Sequence, residues 1–135
     1  VDVMLMLCDH AVVADGKLYI NGGGWDQLPA NGPPTALALL VHVPWDEMNT
    51  TRSLVLQLVD EDGGAVVQPG TDTPILLRAD LEVGRPAGIV PGYTVSIPLA
   101  FNFSPLRLSP GSGYEWRAEC DGEPVGSVRF RTTPE

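Results

Sequence analysis

Hydrophobic and polar side chains alternate along most of this chain with a period of two, and the clearest instance lies near its end. Tyr114, Trp116, Ala118 and Cys120 alternate with Glu115, Arg117 and Glu119, which predicts a strand with one face in a core and the other in water. Asp121-Gly122 supplies a turn, and Val128 and Phe130 mark the inner face of the return strand. Residues directly opposite each other in an antiparallel pair share a face, so even positions must pair with even ones and the loop must hold an odd number of residues. A three-residue loop with Gly122 left-handed meets that requirement.

The same alternation predicts the earlier strands. Leu37, Leu39, Val41 and Val43 point inward from Ala36 to Val43, Leu54, Leu56 and Leu58 from Arg52 to Val59, and Ile75, Leu77, Ala79, Leu81 and Val83 from the next strand. A short return over Ala65 to Gln68 is expected between the last two of these. Beyond the loop Gly84-Arg85-Pro86-Ala87-Gly88, Tyr93 to Phe103 buries Val95, Ile97, Leu99, Phe101 and Phe103. Pro98 in that segment lacks an amide donor, which places the strand at an edge or a bulge. Alternation fails only in Val3 to Val13, where Val3, Leu5 and Leu7 oppose Met4, Met6 and Cys8. Such a strand is expected either to lie centrally with something packed outside it, or to meet a second copy of the protein through its outer face. Asp15-Gly16 then turns the chain, and Lys17 to Asn21 returns with Leu18 and Ile20 inward as an N-terminal hairpin.

No segment carries a 3.6-residue apolar period, and about eight strands follow one another between Gly, Pro and Asp turns. The expected fold is therefore all-β: one domain over residues 1–135, an antiparallel β-sandwich of immunoglobulin-like, Greek-key type. Tyr114, just after the Pro110-Gly111 corner and two residues before Trp116, resembles the corner tyrosines of immunoglobulin-like and fibronectin-like sandwiches.

Charge narrows the partners. The net charge of −9 opposes nucleic acid and anionic membrane, which carry the same sign. Neither a run of about 18 apolar residues nor a basic, apolar, small-residue leader occurs, so the chain is expected to be soluble, unprocessed and cytoplasmic. Because Val1 is not an initiator methionine, prior trimming or a removed signal peptide stays open. Cys8 and Cys120 are expected as buried reduced thiols, with one long-range disulfide as the alternative in an exported protein.

Candidate chemistry is sparse. Gly22-Gly23-Gly24-Trp25 lacks the following Lys-Ser/Thr and the helix that a phosphate loop needs, so it is expected as a bent strand end. Cys8 and His10 would share a strand face, but with His42 as the only other histidine they do not complete a zinc site. Asp60, Glu61 and Asp62 are the weak candidates for a cation such as calcium, against a turn-forming role. Trp25 and Trp45 fall at strand ends, where they cap the core, anchor a partner or stack on a sugar. No Gly-x-Ser-x-Gly elbow occurs, and with two histidines neither an enzyme nor a cofactor is expected.

Cys8-Asp9, Gly16 to Ile20, Gly22 to Trp25, Val43-Pro44-Trp45, Leu58-Val59-Asp60, Leu99 to Asn102 and Tyr114 to Arg117 together resemble a family of uncharacterised small bacterial proteins, frequent in actinobacteria. The resemblance spans nearly the whole chain. It implies a β-rich domain of unknown function and transfers no site residue. The expected function is a non-enzymatic module that binds another protein or a second copy of itself through Met4, Met6, Trp25 and Trp45. The alternative is a calcium-dependent or carbohydrate-binding module.

Overall fold

A computed structural model describes residues 1–67, 70–85 and 87–134. Among them are ten strands: β1 (Asp2–Cys8), β2 (His10–Ala14), β3 (Lys17–Asn21), β4 (Gln27–Leu28), β5 (Thr35–Val43), β6 (Thr50–Asp60), β7 (Leu76–Val83), β8 (Val95–Phe103), β9 (Gly113–Cys120) and β10 (Glu123–Thr132). One 3-10 turn, Trp45–Glu47, is the only helical element among them. The strands form a three-stranded sheet in the order β1-β5-β8, a five-stranded sheet β4-β10-β9-β6-β7, and the β2-β3 hairpin. All pairs are antiparallel except the two-residue β4, which runs parallel to β10. The count exceeds the expected eight because β4 is too short for alternation to register and because the N-terminal run divides.

The long amphipathic strands behave as the alternation requires. Leu37, Leu39, Val41 and Val43 from the three-stranded sheet and Leu54, Leu56, Leu58 and Trp116 from the five-stranded sheet are buried in one shared core. Phe103 of β8 stacks on Trp116 of β9 with ring centroids 5.3 Å apart, joining the inner faces of the two sheets. Pro98 lies on β8, an edge strand, where a missing donor disturbs no second ladder.

The β9-β10 turn corrects the expected loop. Cys120 pairs directly with Glu123, so the loop is the two residues Asp121-Gly122, both left-handed with φ of 51° and 84°. Left alone, that turn would pair even with odd positions and put Val128 and Phe130 on the wet face. A register shift between Pro124 and Gly126 absorbs one residue, after which Gly126 pairs with Ala118, Val128 with Trp116 and Phe130 with Tyr114. The parity of the pairing is thus met by a bulge and not by the length of the loop. At this bulge a Cβ on Gly126 would come within 2.4 Å of the Val3 carbonyl oxygen, so the missing side chain lets β1 lie close to β10. The turn is tied to β6 through the Asp121 carboxylate, which accepts the Ser53 N–H at 3.0 Å.

The N-terminal run is not one strand. It bends at Asp9, and β1 pairs only with β5 at the edge of its sheet, which overturns a central position. The β2-β3 hairpin folds across the outer face instead, making a second small cluster of Cys8, Ala11, Ala36 and Ala38, with Met6, Leu18 and Ala100 packed against it. This explains why Ala36 and Ala38 are buried although they lie on the face of β5 opposite the main core. Ile20, expected inward, keeps 37 % of its surface exposed. The expected return over Ala65 to Gln68 reduces to isolated bridges of Ala65 with Val59 and Val67 with Pro74. Its last residue, Gln68, lies outside the described residues, as does Pro86 of the loop before β8.

Candidate functional site

The Asp15-Gly16 turn builds the surface that best fits a binding role. Both residues are left-handed, with φ of 53° and 70°, and Ala14 pairs with Lys17 across them. In a two-residue hairpin the closing pair exchanges both main-chain hydrogen bonds, and bonded and unbonded pairs then alternate. Val12 and Tyr19 are thus bonded to each other, whereas the main-chain groups of Ala11 and Val13 on β2, and of Leu18 and Ile20 on β3, point away from the partner strand.

One of the two edges is closed by a side chain. Asn102, on the outer face of β8, accepts the Ala11 N–H with Oδ1 at 3.2 Å and donates from Nδ2 to the Ala11 carbonyl at 2.7 Å. A carboxamide offers a donor and an acceptor side by side, so here it stands in for a neighbouring strand. No strand among the described residues pairs with the other edge, that of β3. Around this hairpin Met4 is 51 %, Val12 46 %, Val13 39 % and Tyr19 51 % exposed.

The sequence-derived partner residues do not form one patch. Met4 and Met6 lie on the outer face of β1, but Met6 is half-buried beneath the hairpin, where a Cβ on Gly23 would meet both its sulfur and Ile20. Trp25 packs against the main core and meets Phe130 edge-on at 6.1 Å. Its indole N–H is buried and finds no acceptor among the described residues. Trp45 also packs against the core, with the Arg85 guanidinium 3.8 Å above its ring and donating to its carbonyl at 2.9 Å. Both indoles are engaged within the chain.

Cys8 and His10 are separated by the bend at Asp9. The Cys8 thiol points to the Ala36 carbonyl at 3.6 Å, and His10 is exposed at the start of β2. Both cysteines are unbridged and buried. Burial, followed by the nearby Asp9 and Asp121 charges respectively, pushes both thiols above their ordinary range.

The acidic loop is committed to its own backbone. Asp60 Oδ1 accepts the Asp62 and Gly64 N–H groups at 3.0 and 2.9 Å, which makes it a turn former. Glu61 Oε1 accepts the Gly113 N–H at 2.6 Å and Arg131 Nη1 at 2.8 Å. Among the described residues no group of three or more His, Cys, Asp or Glu is placed to hold a metal ion.

Beside that loop, the outer faces of β9 and β10 form an open cleft of about 510 Å³. Glu115 at its floor receives Arg117 Nε at 2.5 Å and Arg129 Nε at 2.9 Å. These guanidinium groups, Arg117 first, hold the Glu115 carboxyl below the usual range. Carboxylates and guanidinium groups pair off across the cleft, and neither a histidine nor a cysteine lines it. The outward polar residues of β9 and β10 were the sequence signal for it, but their convergence depends on the pairing of the strands.

A family model matches residues 3–133. The chain belongs to DUF6941, a family of unknown function. Comparisons with curated proteins and with solved structures returned no match. In this DUF6941 chain no helix of the described residues is long and apolar enough to cross a membrane.

Proposed function

We propose that this DUF6941 domain is a non-enzymatic interaction module that works by protein–protein contact, either with another protein or with a second copy of itself. The observation that carries this reading is the β2-β3 hairpin: it leaves the edge of β3 unpaired and holds Val12 and Tyr19 half-exposed on its outward face. Exposed apolar side chains grouped beside an open strand edge are what a docking partner covers. The expected Trp25 and Trp45 contribute less to this surface, because each already packs within the chain. Two unbridged thiols support a cytoplasmic setting. Support for an immunoglobulin-like sandwich comes from Tyr114, whose hydroxyl accepts the Ser109 N–H at 2.9 Å from five residues upstream.

The test compares the native chain with a Val12→Ser, Tyr19→Ser variant in sedimentation and in capture from the cognate lysate. The reading predicts self-association or one captured protein, lost in the variant. A native chain that is monomeric and captures nothing refutes it. A second reading, a calcium-dependent or carbohydrate-binding module, draws on the cleft beside Asp60 and Glu61. It predicts that calcium or an oligosaccharide raises the melting temperature, and an unchanged melting temperature across such a panel removes it.

A further inference from the structure

Three of the chain's eight Lys and Arg side chains, those of Arg117, Arg129 and Arg131, line the cleft over β9 and β10, although the net charge is −9. Strand pairing gathers them: Arg117 faces Ser127 and Arg129 faces Glu115 in adjacent rows of one outward face. Glu115, with a side chain only 13 % exposed, takes the Nε–H of both Arg117 and Arg129. One carboxylate thus holds two guanidinium groups and leaves a positive charge over. Because each is held through Nε, the far ends stay clear, and neither Arg117 nor Arg129 gives an Nη hydrogen bond to any described residue. Arg117 also rests against the turn after β6, where a Cβ on Gly63 would stand 3.9 Å from its Nη1 and 4.0 Å from its Nη2. A planar fork with free N–H groups, fixed at its root, is suited to a carboxylate. Arg131 is spent differently, on Glu61 and on the Gly111 carbonyl.

The rims carry the opposite sign. On the β4 side Asp26 is exposed and lines the same cleft, and its carboxylate makes no hydrogen bond or ion pair with any described residue. Its main chain is fixed, because its carbonyl accepts the Arg131 N–H at 2.9 Å. On the β6 side Asp60 commits Oδ1 to the Asp62 and Gly64 N–H groups. Asp26, Asp60, Glu61 and Glu115 against three arginines give the lining a net charge of 3 − 4 = −1, which opposes a dianion such as phosphate. A surplus cation at the centre and an unpaired carboxylate at the rim match a ligand with one charge of each sign.

We infer that this cleft binds a small zwitterion, an α-amino acid or a short peptide with both ends free, its carboxylate on the Nη groups of Arg117 and Arg129 and its ammonium on Asp26. A cleft of about 510 Å³ accommodates either. The site goes beyond the interaction-module reading and lies on the five-stranded sheet, whereas the β2-β3 hairpin covers the three-stranded one, so either can fail without the other. Open and solvated, it should hold its ligand with a Kd on the order of 1 mM.

The experiment is an NMR titration of the full chain at constant ionic strength, followed at the Nε–H signals of Arg117 and Arg129 and at the Asp26 amide. The probes are L-alanine, L-alanyl-L-alanine, the N-acetyl form of that dipeptide, its C-terminal amide, and inorganic phosphate. Alanine or the free dipeptide should give saturable shifts, and blocking either end should weaken binding about tenfold or more. The tighter of the two tells whether a free amino acid or a peptide is the source. Arg129→Gln and Asp26→Asn should each weaken binding by a similar factor. Both should fold normally, since the Arg129 side chain is 85 % exposed and the Asp26 carboxylate holds nothing in place. Arg78→Gln and Asp80→Asn make the same charge changes on β7, outside the cleft, and should leave binding as it is.

Absence of saturable shifts at concentrations well above that Kd overturns the proposal. So does a blocked dipeptide that binds as well as the free one, or binding that the β7 variants weaken as much as the cleft variants do. Phosphate binding more tightly than both zwitterions overturns it as well, in favour of a plain anion site.

Discussion

Truncating Asn102 to alanine should loosen one hairpin and leave the rest of the molecule in place. The side chain supplies both hydrogen bonds that close the β2 edge at Ala11, a residue only 1 % exposed. Each bond contributes about 1 kcal/mol net, and two fully buried unsatisfied main-chain groups would cost about 2–6 kcal/mol. Asn102 itself is exposed, so water reaches the vacated position, which selects the low end: about 2 kcal/mol. The hairpin otherwise rests on the small cluster around Cys8, Ala36 and Ala38, so the loss should show first as local opening. Protection of the Val12 and Tyr19 amides should fall about thirtyfold in hydrogen exchange, with Trp116 in the main core unchanged. Asn102→Asp sharpens the test. A carboxylate still accepts the Ala11 N–H but turns its other oxygen on the Ala11 carbonyl, so at neutral pH it should open the hairpin further than alanine does. Repulsion raises the folded-state pKa of the introduced carboxyl, so its stabilising neutral form is present at low pH and lost as pH rises through that pKa. The deficit relative to Asn102→Ala should therefore shrink on acidification. Unchanged protection in Asn102→Ala, or a deficit in Asn102→Asp that does not depend on pH, would refute the assigned role.

Trp116→Ala removes a side chain 1 % exposed and its stacking partner for Phe103; a loss of about 3–5 kcal/mol is expected in urea unfolding. Tyr114→Phe deprives the Ser109 N–H of its acceptor and should cost about 1 kcal/mol in the same assay. Glu115 is held below the ordinary carboxylate range by Arg117 and then Arg129. A lowered folded-state pKa stabilises above the unfolded value and is lost as pH falls through the folded one, so Glu115→Gln should flatten the acid side of the stability profile below about pH 5. Cys8 and Cys120, buried and raised in pKa, should react with a thiol reagent at neutral pH only at the rate of unfolding, and fast labelling of either would contradict the packing.

The strands of the main core were legible because each carries its own instruction: Leu54, Leu56 and Leu58 need only a period of two to declare which way they face. What the sequence hid depends on partners distant along the chain. The apolar run from Val3 to Val13 is interrupted only by Asp9-His10, and that pair alone does not separate a bend from a polar spot on one strand, because apolar residues on both faces read alike whether one strand is covered twice or two strands fold over each other. Asn102 reads as a polar residue on a wet face until the hairpin lands on it. The cleft over Glu115 likewise needs β9 and β10 in register before Arg117 and Arg129 converge. Failed alternation marks Met4 as an apolar residue on the outer face, where it is exposed, and the same signal extends to the exposed Val12 and Val13. Trp25 and Trp45 read ambiguously in the sequence because an aromatic ring at a strand end can cover its own core or meet a partner, and in the fold both pack against the core.

A strand can be said to have a reading frame of two, and the bulge between Pro124 and Gly126 is a frameshift written into β10. Losing or gaining one residue elsewhere in β9 or β10 would invert every later side chain and send Val128 and Phe130 into water. At the bulge the loss of one residue keeps the frame: without Val125, Pro124 and Gly126 would continue an unbroken ladder against Glu119 and Ala118, with the inner face still inward and only the packing of Val125 against the core given up. Length variation in this hairpin should therefore be tolerated at the bulge and in the turn, and not between Tyr114 and Glu119 or between Ser127 and Phe130.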